Sequence, residues 1–198
     1  MKKSTIVSPA VLCLLLMISG IIMGVLGLKV LSPDEKAELV SYLEVFMRGL
    51  ANPGFEPGVI FRLSLVQNIK TCALIWAFGL AVIGAPLVCL MLLIRGFAVG
   101  FSSAFVFREL SSGGFMVFAA GMLPHNLLAL PALVLLSSLS VSFSLTLFKE
   151  RPWVHGGLMK LSTEYTWRFA IISILLGLSS LVEAYLSPFL LGKASGYF

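Results

Sequence analysis

Arg95 and Glu183 are the residues best placed to do chemistry, because each carries a charge inside a long apolar stretch. A charge in the bilayer interior is costly, so such residues pair with one another, line a polar path or mark a functional site. At the rise of an α-helix, Arg95 lies about 14 Å beyond Pro86 and Glu183 about 21 Å beyond Phe169. Both distances run from the expected cytoplasmic side and are close enough for long side chains to pair, so the two readings are an Arg95–Glu183 bridge and separate snorkelling of each charge to a surface. His125 stands between Pro124 and Asn126 and reads as a polar cap at a broken helix. His155 falls in another segment, so the two histidines make a poor metal pair. Cys13, Cys72 and Cys89 all lie in apolar segments without CxxC or metal-ligand spacing, and read as small packing residues. The sequence holds no HExxH, GxGxxG, Walker loop or GxSxG pattern. No catalytic residue, metal site or cofactor is therefore expected, and the protein reads as a non-enzyme.

The segments around these residues belong to a membrane. The chain has 198 residues, 59% of them hydrophobic and only 12% charged. A soluble domain carries about 25% charged residues, and the mean hydropathy here is +1.03. No soluble domain of any size is left over. The expected architecture is all-α: one integral membrane domain over residues 1–198, a polytopic bundle of about five transmembrane helices, with broken or re-entrant segments near Pro86 and Pro124. A net charge of +5 fits basic loops resting on anionic membrane lipid. Basic and aromatic residues are not interleaved, so no nucleic-acid partner is expected.

Lys2 and Lys3 precede an uncharged run from Ser4 to Leu28. Its apolar part is too long for a signal-peptide core, so residues 1–28 read as a first transmembrane helix with a cytoplasmic amino terminus. Gly20, Gly24 and Gly27 lie nearly on one face, and the GxxxG spacing of the first two permits close helix contact, which allows a homodimer. Residues 29–61 are the largest polar segment, with three basic against five acidic side chains. They suit the extracytoplasmic side. Within them Ser32-Pro33-Asp34-Glu35 is a capping box with proline at the first helical position. Leu39, Leu43, Phe46, Met47 and Leu50 follow at helical spacing, which gives an amphipathic helix over 32–50 that stops near Asn52-Pro53-Gly54.

Residues 62–191 form the remaining bundle. From Thr71 to Ile94 no residue is charged, but Gly79, Gly84 and Pro86 interrupt the run. Ending the second span near Gly84-Ala85-Pro86 leaves Pro86–Phe107 as a third span containing Arg95. Carrying the second span on to Ile94 would leave Phe97–Phe107, too short to cross. Arg108 to Gly114 then forms an outside loop. Leu110 to Phe148 is uncharged. Phe115–Leu123 reads as a short interfacial or re-entrant piece, Pro124-His125-Asn126 as the break, and Leu127–Phe148 as the fourth span. Residues 149–168 carry Lys149, Arg151, Lys160 and Arg168 and are assigned to a cytoplasmic loop. Phe169–Leu191 is the fifth span, and 192–198 a short tail outside.

The order N-x-K, W-x-x-G, I-G-x-P, R-G-F-x-x-G-F, L-P-x-N-x-x-x-x-P-A and E-A-Y-x-S-P resembles the stage II sporulation protein M family. These motifs fall at Asn68 and Lys70; Trp76 and Gly79; Ile83, Gly84 and Pro86; Arg95, Gly96, Phe97, Gly100 and Phe101; Leu123, Pro124, Asn126, Pro131 and Ala132; and Glu183, Ala184, Tyr185, Ser187 and Pro188. The likeness covers nearly the whole chain, including the acidic helix after the first span. It implies a non-enzymatic protein of the mother-cell membrane at the sporulation septum. Such a protein acts as a scaffold that recruits stage II sporulation protein P, which in turn recruits stage II sporulation protein D. The two partners degrade peptidoglycan, thinning the septal wall for engulfment. On this sequence the docking face for them is Ser32–Phe61 with Arg108–Gly114, so Glu35, Glu38, Glu44, Arg108 and Glu109 are candidate partner contacts. The alternative from another class is a small-molecule or ion transporter using intramembrane Arg95 and Glu183.

Overall fold

Proline and glycine decide where the helices begin. The computed structural model describes residues 8–50, 56–109, 114–150 and 157–194, without the side chains of 46–50 and 192–194. The elements are α1 (Pro9–Gly27), α2 (Pro33–Leu50), α3 (Pro57–Leu80), α4 (Gly84–Glu109), α5 (Gly114–Val117), α6 (Leu123–Glu150), α7 (Leu158–Leu181) and α8 (Ser187–Ala194). A π turn at Phe118–Met122 joins α5 to α6, and a second at Val182–Leu186 joins α7 to α8. Pro9, Pro33 and Pro57 open the first three helices, at a position whose N–H has no helical partner in any case. Among the described residues, five helices are long and apolar enough to cross a membrane: Pro9–Gly27, Pro57–Leu80, Gly84–Glu109, Gly114–Glu150 and Leu158–Leu191. The all-α bundle expected from the sequence is the one observed. Lys2, Lys3, Asn52-Pro53-Gly54, Ser111–Gly113, Arg151, Trp153, His155 and residues 195–198 lie outside the described residues, as do the side chains of Phe46, Met47 and Leu50.

α1 lies against α4 through small residues on both helices. A Cβ on Gly20 would sit 2.4 Å from the Leu93 carbonyl oxygen, and one on Gly24 2.1 Å from that of Phe97. From the other side, a Cβ on Gly96 would meet the Met17 carbonyl oxygen at 2.5 Å and one on Gly100 that of Ile21 at 2.1 Å. The contacts climb together along both sequences, so α1 and α4 run parallel. The glycine face that would also allow a homodimer is thus occupied by α4 of the same chain.

The reversal between α3 and α4 comes at Ala81–Ile83. Ala81 N–H donates to Phe78 O at 3.1 Å and Gly84 N–H to Ala81 O at 3.0 Å. Any Cβ on Gly84 would fall 1.6 Å from Phe78 O, so only glycine fits. The Ser144 hydroxyl of α6 ties the turn down, donating to Ala81 O at 2.9 Å and accepting from Ala85 N–H at 3.1 Å. The helix therefore ends where Gly84-Ala85-Pro86 indicated. Pro86 sits in the first turn of α4 and Arg95 lies inside a span.

Two expectations are corrected. The chain does not break at Pro124-His125-Asn126, and Phe115–Leu123 is no separate re-entrant piece; one helical path runs from Gly114 to Glu150. Proline at 124 lacks an N–H and crowds the preceding turn. The backbone answers by widening: Leu123 N–H reaches back to Phe118 O in the π turn. His125 Nδ1 also bonds Gly121 O at 3.3 Å and Asn126 Nδ2 donates to Met122 O at 2.9 Å, so both polar side chains find partners four residues back on their own helix. The second π turn repeats the solution one residue before Pro188, with Ser187 N–H bonded to Val182 O. Pro131 stays within α6 without ending it. The second correction concerns 149–168: α6 runs to Glu150 and α7 already starts at Leu158. Tyr165 is buried in the bundle rather than lying in a loop.

The bundle has two unlike halves. Where α3 ends and α7 begins, Tyr165 packs flat on Phe143 at 4.4 Å and its hydroxyl bonds both Ser140 and the Trp76 carbonyl. Gly79 makes room for that hydroxyl, which a Cβ there would meet at 2.1 Å. The other half, on the side of α2, holds the polar residues.

Candidate functional site

Asn68 is the hub of the polar half. It is 7% exposed, in the middle of α3. Its Nδ2 donates to Ser180 Oγ at 2.9 Å, Leu176 O at 3.3 Å and Ser179 Oγ at 3.4 Å on α7. Its Oδ1 accepts from the Arg95 guanidinium of α4 at 3.3 Å. One amide thus joins three helices and supplies a partner for an intramembrane cation. One turn earlier on α3, the Ser64 hydroxyl donates to the carboxylate of Glu183, which sits in the second π turn. The direct Arg95–Glu183 bridge is therefore corrected: each charge takes its own neutral partner on α3, four residues apart.

Arg95, Glu183, Asn68, Ser64, His125 and Asn126 all line one cavity of about 500 Å³ between α3, α4, α6 and α7. Against it, towards α2, lies a more apolar cavity of about 550 Å³. The two share Ser102, Met122, His125 and Glu183. Leu39 and Leu43 of α2 line the outer one, facing Phe105, Val117 and Leu191.

Of the sequence candidates, Asn68, Arg95, His125, Asn126 and Glu183 converge on this cavity. The others do not. Lys70 is exposed on α3, Gly84 and Pro86 belong to the far turn, and Gly96 to the α1 contact. Pro124 shapes the π turn, and Pro131 is exposed on α6. Glu35, Glu38 and Glu44 of α2 are exposed, as are Arg108 and Glu109 at the end of α4. The sequence reading missed Ser64, Ser102, Ser179 and Ser180. The spacing of Ser64 and Asn68, four residues apart on one helix face, was the available signal. Among the described residues no group of three or more His, Cys, Asp or Glu is placed to hold a metal ion.

These features define a multi-pass α-helical membrane protein with a polar cavity buried among its spans. The family model described as Stage II sporulation protein M matches residues 13–188, and the chain belongs to that family. No curated protein and no solved structure matches it.

Proposed function

We propose that the protein is a non-enzymatic membrane scaffold that recruits peptidoglycan-degrading enzymes to the sporulation septum for wall thinning and engulfment. Its partners are stage II sporulation proteins P and D, and its place is the mother-cell membrane, with a cytoplasmic amino terminus. Family membership supports this reading, and α2 is the observation that carries it. The helix is fixed at its start by a complete capping box. Ser32 N–H and Oγ–H both donate to Glu35 Oε2 at 2.8 Å, and Glu35 N–H donates to Ser32 Oγ at 3.3 Å. It presents exposed Asp34 and Glu38 beside the cavity side of the bundle. A well-formed acidic helix outside the apolar spans is a suitable handle for a wall-facing enzyme.

The test is capture from membranes of sporulating cells, with Glu38→Lys and Glu44→Lys combined and Glu35 left intact so that the cap survives. Proteins P and D are expected with the unaltered chain and lost with the reversed one. Their absence from both samples sinks the scaffold. A second reading, solute or ion transport, draws on the cavity holding Arg95 and Glu183. Flux in reconstituted vesicles that disappears in Arg95→Gln would favour it over the scaffold.

A further inference from the structure

Two opposite charges share one membrane-embedded cavity without neutralising each other. Arg95 and Glu183 both line the cavity of about 500 Å³, yet among the described residues they form no ion pair. Charges inside a bilayer normally find each other, because each is costly alone. Here α3 keeps them apart: their partners Asn68 and Ser64 are four residues apart, about 6 Å along the helix axis. Both groups also have capacity for a ligand beyond their protein partners. A guanidinium has five N–H donors and a carboxylate about four acceptor positions, and each makes one side-chain bond here. The His125 bond to the Gly121 carbonyl requires a proton on Nδ1, which in the neutral ring leaves Nε2 an acceptor.

The cavity is therefore polarised. Donors gather at Arg95, and acceptors at Glu183 and His125, which also border the outer apolar cavity. Its volume falls in the range of small-molecule sites, about 300–1,000 Å³. We propose that it binds a small zwitterion, with an oxyanion held by Arg95 and a primary ammonium held by Glu183 and His125 Nε2. The shared chemistry is that of a free amino acid and of a phosphatidylethanolamine headgroup. The π turns at Phe118–Met122 and Val182–Leu186 bring His125 and Glu183 to the cavity, and such turns are frequent at functional sites. This site is independent of the scaffold reading, since binding holds or fails whether or not a wall enzyme is captured.

The experiment uses the full chain in nanodiscs of phosphatidylglycerol alone. The thermal unfolding midpoint is measured with alanine, phosphoethanolamine, and the single-charge fragments acetate, phosphate and ethanolamine at equal ionic strength. A second nanodisc contains phosphatidylethanolamine. A midpoint raised by a free zwitterion identifies a soluble ligand; a rise only in the second nanodisc identifies the lipid headgroup. Either supports the site, provided the zwitterion acts at concentrations about tenfold or more below its fragments. Arg95→Gln and Glu183→Gln are each expected to weaken binding by about tenfold or more. Fragments as effective as the zwitterion, or no shift with any zwitterion in either nanodisc, overturn the proposal. That comparison needs only the unaltered chain, so it stands even where a variant fails to fold.

Discussion

At the residue scale, Asn68 and Ser64 between them do the work that a salt bridge between Arg95 and Glu183 would have done. A neutral amide can satisfy a cation on one side and three oxygens on the other, whereas a carboxylate at that position would repel Leu176 O. The consequence is a specific pattern of coupling. In double-mutant cycles, Arg95→Ala with Asn68→Ala and Ser64→Ala with Glu183→Ala should each show coupling of about 0.5–3 kcal/mol in unfolding free energy. Arg95→Ala with Glu183→Ala should be closer to additive, and a larger coupling there would restore the direct bridge. Ser137 gives the opposite prediction. It is fully buried in α6 and its hydroxyl finds no partner among the described residues. Removing it with Ser137→Ala should raise stability by about 1 kcal/mol, read as a higher unfolding midpoint. Arg95 and Glu183 were legible in the sequence because charge inside an apolar run stands out. Ser64, Ser179 and Ser180 were not, because a serine in such a helix bonds its own backbone just as readily. Ser103 and Ser173 do so, to Val99 O and Phe169 O four residues back.

At the scale of the element, legibility follows the range of the deciding interaction. Ser32-Pro33-Asp34-Glu35 specified the start of α2 by bonds within one turn, and those bonds are present. Gly84 specified the end of the α3 hairpin by a contact six residues away. Pro124 misled because the backbone absorbs it in the π turn at Phe118–Met122, a local remodelling that hydropathy does not encode. The capping box also carries a pH dependence. Bonds from the Ser32 backbone and then its hydroxyl hold the exposed Glu35 carboxyl below the ordinary glutamate value. A carboxyl whose folded pKa is depressed stabilises above its unfolded pKa and loses that contribution as pH falls through the folded value. The first turn of α2 should therefore be protected at neutral pH and loosen as pH falls from about 4.3 downwards. Amide hydrogen exchange of the α2 first-turn residues checks this. Glu35→Ala should exchange fast at all pH values, and the same pH profile in that variant would remove Glu35 as the cause.

At the scale of the molecule, the bundle closes on a pair of helices distant in the chain, with sequence neighbours such as α6 and α7 packed around it. α1 packs on α4, two spans later in the chain, and the parallel direction of the pair requires α3 to run back between them. The result places α2, the end of α4 and α8 on one side, and the α3–α4 turn with the end of α6 and the start of α7 on the other. That arrangement assembles the polar cavity on the α2 side from halves of four helices. Composition and span count were readable from the sequence, but this pairing was not: Gly20 and Gly24 fit a second copy as well as they fit Gly96 and Gly100. The two uses separate experimentally. A Cβ at position 100 would lie 2.1 Å from the Ile21 carbonyl oxygen and 2.8 Å from two further Ile21 backbone atoms, which cannot rotate away. Gly100→Val should push α1 off α4 and cost stability towards the upper end of about 1–3 kcal/mol for overpacking. Because the contact is internal, the loss should appear as a lower unfolding midpoint that does not change with protein concentration, and the oligomeric state in detergent should match that of the unaltered chain. A midpoint that depends on concentration, or a shift from dimer to monomer, would move these glycines from the inside of one chain to the boundary between two.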